Sequence, residues 1–161
     1  MVLHVLFLCT GNTCRSPMAK AIFEKKAAEC GISCICSSAA LGFSNGYAVS
    51  ENSAEVCKEI GIDISGHKSR ALNQNDVDIT DIFVVMMAGH ADVLTQVLNI
   101  PKNKVYILNG GISDPFGSDI ETYRECRKNI EKGIDELLDI IKNMIEKGTL
   151  EVSDDDRPYH Q

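Results

Sequence analysis

The chain has 161 residues, of which 44% are hydrophobic and 24% are charged, and its formal net charge at pH 7 is −7. This length and composition are typical of one globular domain with room for a hydrophobic core. The acidic balance argues against a nucleic-acid partner, because phosphate backbones require a basic surface. No apolar run reaches the ~20 residues that a membrane-spanning helix needs, so we expect no membrane association.

In chain order, the first half alternates between apolar strands and amphipathic helices. The pattern predicts a strand over 2–8, a helix over 18–29, a strand over 33–39 and a helix over 51–60. Gly31 follows the first helix as a stop signal, and Ser50 precedes the second as its N-cap. The stretch 62–75 shows no regular period, so we expect it to be irregular.

The second half begins with the continuous apolar run 81–87, which is typical of a central strand buried on both faces. A helix over 88–98, a strand over 104–108 and a long amphipathic helix over 120–145 follow. In the helix over 88–98, the side chains expected to point inward are Val93, Leu94, Val97 and Leu98. We predict one folded domain over 1–147, which carries the function, and an acidic C-terminal tail over 148–161.

Four strands that alternate with helices predict an α/β fold. The expected architecture is a three-layer sandwich, in which a parallel sheet is covered by helices on both faces. In sheets of this kind, ligands bind beyond the carboxyl ends of the strands. The loop that leaves the first strand is therefore expected to carry the site.

The N-terminal segment has no basic region, so no signal peptide is expected. Seven cysteines in a chain without an export signal indicate free thiols in a reducing compartment, and we expect a cytoplasmic monomer. The chain contains no Cys-x-x-Cys pair and no His-x3-His pair, so we expect no metal and no cofactor.

The loop between the first strand and the first helix has the sequence Cys9-Thr10-Gly11-Asn12-Thr13-Cys14-Arg15-Ser16-Pro17. In a strand–loop–helix unit, the N–H groups of the loop and of the first helical turn converge on one point and bind anions. A thiol that points at such a site loses its proton easily, and an arginine beside it binds two phosphate oxygens through bidentate hydrogen bonds. The pattern predicts phosphoryl transfer through a phosphocysteine on Cys9, with residues 10–15 as the phosphate loop and Arg15 as the clamp.

The spacing Cys-x5-Arg-Ser resembles the phosphate loop of cysteine-dependent phosphatases, and the full string resembles the low-molecular-weight protein tyrosine phosphatases. The resemblance covers residues 2–145 and implies a flavodoxin-like strand order 2-1-3-4. It implies that Asp114, in an Asp-Pro-Phe motif, is the general acid and then the general base. It also implies that Asn12, Ser38 and His67 lock the loop. Ser16 is expected to donate a hydrogen bond to the sulfur of Cys9.

Four positions depart from the form common in that family. Thr10 and Thr13 stand where the family usually has Leu and Ile, and Phe116-Gly117 stands where many members have two tyrosines. Thr13 together with Asp-Pro-Phe resembles the protein arginine phosphatases within the family. We expect a protein phosphatase acting on phosphotyrosine, with phosphoarginine as the alternative and with Thr13 and Phe116 setting specificity.

Two other functions and one regulatory device are related to the same loop. Thioredoxin-coupled arsenate reductases share a similar loop but need resolving cysteines after the central strand, where residues 86–90 contain none. A silent phosphopeptide-binding module is disfavoured because the catalytic set is complete. Cys9 and Cys14 share one short loop, so we expect a reversible disulfide between them, which a thiol reductant reopens.

Overall fold

A parallel sheet of four strands forms the centre of the fold, in the order β2-β1-β3-β4. The computed structural model describes residues 2–150. The strands are β1 (Leu3–Cys9), β2 (Cys34–Ala40), β3 (Ile82–Val85) and β4 (Val105–Ile107). This sheet confirms the predicted α/β class and the strand order 2-1-3-4.

Within residues 2–150, five α-helices cover the two faces of the sheet. They are α1 (Arg15–Glu29), α2 (Glu51–Lys58), α3 (Gln74–Ile79), α4 (Ala88–Asp92) and α5 (Ile120–Glu146). Helices α1, α2 and α5 contribute to the larger of two hydrophobic cores, and α3 and α4 pack against the smaller one. The helices on the two faces form the outer layers of the predicted three-layer sandwich, and each core lies between the sheet and one of these layers.

Strand β1 serves both cores because successive side chains of a strand point to opposite faces. Val5 and Phe7 belong to the larger core, whereas Leu6 and Leu8 belong to the smaller one. All four side chains are fully buried. Residues 5–8 of this strand therefore present no polar side chain, and the thiol of Cys9 follows them at the carboxyl end of the strand.

Helix α5 approaches the turn after β4 very closely. A Cβ atom on Gly133 would lie 2.8 Å from Cγ of Leu108 and 3.0 Å from Cβ of Asn109. Only glycine permits this contact, because any larger residue would push the helix away from the turn. The chain that leaves this turn leads directly to Asp114, so the packing of α5 fixes the start of that loop.

The structure corrects several element boundaries. Helix α1 begins at Arg15 and not near residue 18, because Pro17 is tolerated inside a first helical turn. Helix α3 lies partly within the stretch expected to be irregular. It has a capping box between Asn73 and Asp76, but with six residues it is too short to show a period.

The helix after β3 also differs from the expectation. Helix α4 passes into a π-helical segment, Val93–Val97, whose wider turn rotates the following side chains. Leu94 is buried as expected, but Val93, Val97 and Leu98 are 39%, 68% and 39% exposed. Their prediction as inward residues was wrong, since it assumed one uninterrupted α-helical period.

The described part of the chain ends shortly after α5. Gly148 has a positive φ of 65°, which ends the helical path. The predicted boundary between residues 147 and 148 remains a prediction, and residues 151–161 of the predicted tail lie outside the described residues. Within residues 2–150, no helix combines the length and the apolar character that crossing a membrane requires.

Candidate active site

The candidate site surrounds the loop between β1 and α1, at the carboxyl edge of the sheet. Cys9 is the last residue of β1 and pairs in register with Ala40 at the end of β2. The side chains of Cys9 and Cys14 are buried beneath the loop, with 3% and 4% of their surface exposed. The loop lies between the chain segments that follow β2 and β3, which supply its contacts.

Every carbonyl group from Cys9 to Cys14 accepts a hydrogen bond from outside the loop. In loop order, the donors are Leu41 N (3.0 Å), Gly42 N (3.0 Å), Ser44 Oγ (2.8 Å), His67 Nε2 (2.8 Å), Ser50 N (2.9 Å) and Ser53 Oγ (3.5 Å). The C=O and N–H of one trans peptide point in opposite directions. Carbonyl groups drawn outward therefore turn the amides of residues 10–15 inward, as an anion-binding loop requires.

Asn12 lies at the centre of this arrangement and is fully buried. Its φ of 57° lies in the left-handed region, which asparagine tolerates better than most residues. Its backbone N–H points at Sγ of Cys9 from 3.3 Å. Its side-chain Nδ2 donates to Oγ of Ser16 (2.8 Å) and of Ser38 (3.0 Å), and its Oδ1 accepts from N of Arg70 (3.1 Å).

The hydroxyl of Ser16 lies 2.9 Å from Sγ of Cys9. Because Oγ of Ser16 already accepts from Asn12, its own proton is free to be donated to the sulfur. A thiolate on Cys9 would thus receive one hydrogen bond from this hydroxyl and one from the amide of Asn12. The sequence predicted the donation by Ser16 but not the role of the Asn12 amide.

His67 holds the outer side of the loop. Its Nε2 donates to the carbonyl oxygen of Asn12, which fixes the proton on that ring nitrogen. Burial lowers the pKa of His67 below its usual 6.5, although the hydrogen bond to Asn12 opposes the shift. The ring is therefore neutral near pH 7, and a neutral ring with a proton on Nε2 is sufficient for this contact.

Arg15 links the loop to the segment after β4. Its guanidinium is buried, with 2% of the residue exposed, and Nη1 donates to the carbonyl of Ile112 (2.9 Å). Nη2 lies 3.6 Å from Oδ2 of Asp114, whose side chain is half-exposed. Oδ1 of Asp114 accepts from N of Phe116 (3.1 Å), which forms a tight turn through Pro115. The structure thus brings Arg15 and Asp114 together at the loop.

Polar and aromatic groups share the rim of the site. Phe116 is 76% exposed beside Asp114. Thr13 is partly exposed, and the one contact of its hydroxyl among residues 2–150 is a weak one of 3.8 Å to Sγ of Cys14. Thr10 is exposed, and its hydroxyl lies 3.0 Å from Nε2 of His90.

Four side chains that contact the loop were not predicted from the sequence. Ser44 and Ser53 donate to loop carbonyl groups, and His90 contacts Thr10. Tyr123 of α5 places its hydroxyl 3.4 Å from Sγ of Cys14, and burial raises the pKa of this tyrosine to about 12. Ser44 lies in a loop, Ser53 and His90 lie in the short helices α2 and α4, and Tyr123 lies in the long helix α5. None of the four belongs to a motif, so no sequence signal identified them.

The arrangement combines a buried thiol, an inward-facing set of amides, a buried guanidinium and a half-exposed carboxyl. Such a set can bind a tetrahedral oxyanion, attack it with sulfur and exchange a proton with its leaving group. Among residues 2–150, no group of three or more His, Cys, Asp or Glu side chains is suited to hold a metal ion.

Comparison with known proteins identifies the class. The family model described as Low molecular weight phosphotyrosine protein phosphatase matches residues 4–148, so the chain belongs to this family of cysteine-based phosphatases. The crystal structure of a low molecular weight protein tyrosine phosphatase from T. tengcongensis superposes with a TM-score of 0.80. It is 34% identical, and the match covers 86% of this chain and 99% of that chain.

Two curated relatives carry different names. The protein-arginine-phosphatase of Geobacillus stearothermophilus is 37% identical over 144 residues, which is 85% of this chain and 95% of that protein. Arsenate reductase 1 of Staphylococcus epidermidis is 36% identical over 137 residues, which is 81% of this chain and 92% of that protein. Identities this similar do not separate the three activities, so the substrate must be argued from the site.

Proposed function

We propose that this phosphatase acts on phosphoarginine in proteins. The observation that carries the proposal is the polar rim of the site, where Thr10, Thr13 and His90 occupy positions around the loop. A guanidinium leaving group has N–H donors that the hydroxyls of this rim can accept, whereas a phenyl ring offers them no hydrogen bond. The relative from Geobacillus stearothermophilus, named for this activity, supports the same substrate.

In the proposed reaction, residues 10–15 bind the phosphoryl group through their amides and the Arg15 guanidinium. The Cys9 thiolate attacks phosphorus and forms a phosphocysteine while protonated Asp114 gives its proton to the departing nitrogen. Asp114 then accepts a proton from a water molecule, which attacks the same phosphorus. Inorganic phosphate and the Cys9 thiolate are released, so each bond and proton is accounted for.

The supporting residues act through the shape of the loop. Asn12 is the left-handed residue of the loop. Its side chain donates to Ser38, and its carbonyl accepts from His67. Ser16 donates to the Cys9 sulfur. A hydrogen bond to the sulfur stabilises the thiolate more than the thiol, which favours both attack and later departure.

Phosphotyrosine is the second candidate, and one observation favours it. The exposed ring of Phe116 stands beside Asp114, where it offers one apolar surface to an aromatic leaving group. The solved relative from T. tengcongensis is named a tyrosine phosphatase, which supports this alternative. Both candidates make phosphorylated proteins the partners of this chain.

Arsenate reduction has weaker support. It would require resolving thiols that pass a disulfide away from Cys9, and residues 86–90 after β3 contain none. Helix α5 carries one further thiol, Cys126, three residues after Tyr123. This thiol is buried, and burial raises its pKa to about 12. A thiol of this kind is a poor nucleophile for disulfide relay.

We further propose redox control through a disulfide between Cys9 and Cys14, in a cytoplasmic monomer whose seven cysteines are otherwise reduced. Peroxide oxidises the Cys9 thiolate to a sulfenic acid, with release of water. The Cys14 thiol then displaces a second water molecule and forms the disulfide. A dithiol reductant of the cell reopens it by exchange.

The test is a side-by-side measurement of kcat/KM on two peptides with the same flanking sequence, one with phosphoarginine and one with phosphotyrosine. We expect kcat/KM to be larger for the phosphoarginine peptide than for the phosphotyrosine peptide. A larger value for phosphotyrosine would contradict the proposed substrate but not the phosphatase class.

A further inference from the structure

His90 and Thr10 form a contact that the proposed chemistry does not use. His90 is the third residue of α4, which follows β3, and Thr10 follows directly after Cys9. Nε2 of His90 lies 3.0 Å from Oγ1 of Thr10. The two residues thus connect the carboxyl ends of the neighbouring strands β1 and β3 immediately beside the nucleophile.

The orientation of Thr10 is set from both sides. Its carbonyl accepts from N of Gly42, and a Cβ on Gly42 would lie 3.0 Å from that oxygen and 3.8 Å from Cγ2 of Thr10. The segment around Gly42 therefore packs against the methyl side of Thr10. His90 holds the opposite side, the hydroxyl, so the side chain is fixed although the residue is exposed.

The environment of His90 keeps its ring uncharged. The residue is 9% exposed, and its Nδ1 is buried without a hydrogen-bond partner among residues 2–150. Burial and the nearby Arg15 guanidinium lower the pKa of His90, and the Asp114 carboxylate opposes this shift. A neutral imidazole either donates to Oγ1 of Thr10 or accepts from it, and at least one oxygen lone pair remains free in both cases.

We infer that His90 is a positioning residue for substrate specificity, which fixes the Thr10 hydroxyl as a hydrogen-bond acceptor for the N–H groups of a guanidinium leaving group. An uncharged ring is required there because an imidazolium would repel that cationic group. The inference rests on the proposed function and identifies which groups of the polar rim recognise phosphoarginine.

The test measures kcat/KM on the paired phosphoarginine and phosphotyrosine peptides for the wild type, His90→Phe, Thr10→Val and the double variant. Each single change should lower the ratio of the two kcat/KM values about tenfold, which is the effect of one lost hydrogen bond. The double variant should lose no more than either single one, because both remove the same contact. His90→Gln, whose amide can reach Thr10, should restore most of the ratio.

Thr95→Val is the matched control, since it removes a threonine hydroxyl that donates to the carbonyl of Ala91 and not to the loop. It should leave the ratio unchanged. An equal loss on both peptides in His90→Phe, or additive losses in the double variant, would reduce His90 to a structural role and overturn the inference. A wild type inactive on phosphoarginine but active on phosphotyrosine would overturn the proposed substrate and this inference together.

Discussion

Nη2 of Arg15 lies 3.6 Å from Oδ2 of Asp114, although the two residues are almost a hundred positions apart in the chain. The same guanidinium donates to the carbonyl of Ile112, two residues before Asp114. One buried arginine therefore fixes the position of the segment that carries the carboxyl. In the proposed reaction this contact brings the proton donor to the bound phosphoryl group before any substrate arrives.

Asp114→Asn should lower kcat on aryl phosphates by roughly 10²–10⁴, which is the usual effect of removing a positioned general acid. Asparagine keeps an oxygen that can accept from N of Phe116, so the turn should persist. The loss should grow as the leaving group becomes more basic, and a series of substituted phenyl phosphates measures this. A uniform loss across the series would mean that Asp114 does not protonate the leaving group.

Thr13→Ile should shift preference toward phosphotyrosine. The hydroxyl of Thr13 has one weak contact in the loop, so its loss costs little in the free enzyme but removes a partner for a guanidinium. The measurement is the ratio of kcat/KM on the paired peptides, with Thr95→Val as control. If Thr13→Ile and wild type give the same ratio, Thr13 does not determine specificity.

Mild peroxide should inactivate the enzyme reversibly through a Cys9–Cys14 disulfide, and dithiothreitol should restore activity. Cys14→Ser should recover poorly, because the sulfenic acid of Cys9 then proceeds to irreversible forms. Cys126→Ser, which removes another buried thiol close to the site, should recover like wild type. Equal recovery of Cys14→Ser and wild type, or the lack of a Cys9–Cys14 cross-link in the mass spectrum, would refute the proposal.

His67 should make the stability of the fold depend on pH. Burial lowers its pKa below 6.5 in the folded protein, so the unfolded chain binds more protons once the pH falls below that value. The free energy of unfolding should therefore decrease as the pH is lowered from ~7.5 to ~5.5. Urea titrations should show a smaller decrease in His67→Gln, which keeps an N–H for the Asn12 carbonyl. Parallel pH curves for the two proteins would contradict this.

The nucleophilic loop could be predicted from the sequence because its residues are contiguous. The order of Cys9, Arg15 and Ser16 after an apolar strand specifies a thiol, a guanidinium and a hydroxyl around one turn. The sheet could be predicted because the strand and helix periods alternate along the chain. Both conclusions depend on local patterns, and the structure confirms the fold.

The outer contacts could not be predicted because they depend on distant segments meeting in space. Ser44 and Ser53 lie in a loop and a helix with no motif, yet each donates to one particular carbonyl of the phosphate loop. His90 meets Thr10 only because β3 lies beside β1 in the sheet. The exposed side of the π-helical segment was also missed, since a single wide turn leaves no trace in hydrophobic periodicity.

The nucleophile can be tested by one substitution. Cys9→Ser should abolish turnover but keep phosphate binding, because the inward amides and the Arg15 guanidinium remain. Isothermal titration with inorganic phosphate measures the binding, and Cys30→Ser, at an exposed thiol outside the site, is the control.

The most direct test of the phosphocysteine intermediate is a rapid-quench experiment, in which wild-type enzyme reacts with a phosphorylated substrate peptide. The enzyme is then digested, and mass spectrometry is carried out on its fragment that contains Cys9. If Cys9 is the nucleophile, it carries one phosphoryl group within the first turnover, and the leaving group is released in a burst of about one equivalent per enzyme. No covalent intermediate on Cys9, together with substantial turnover by Cys9→Ser, would contradict it.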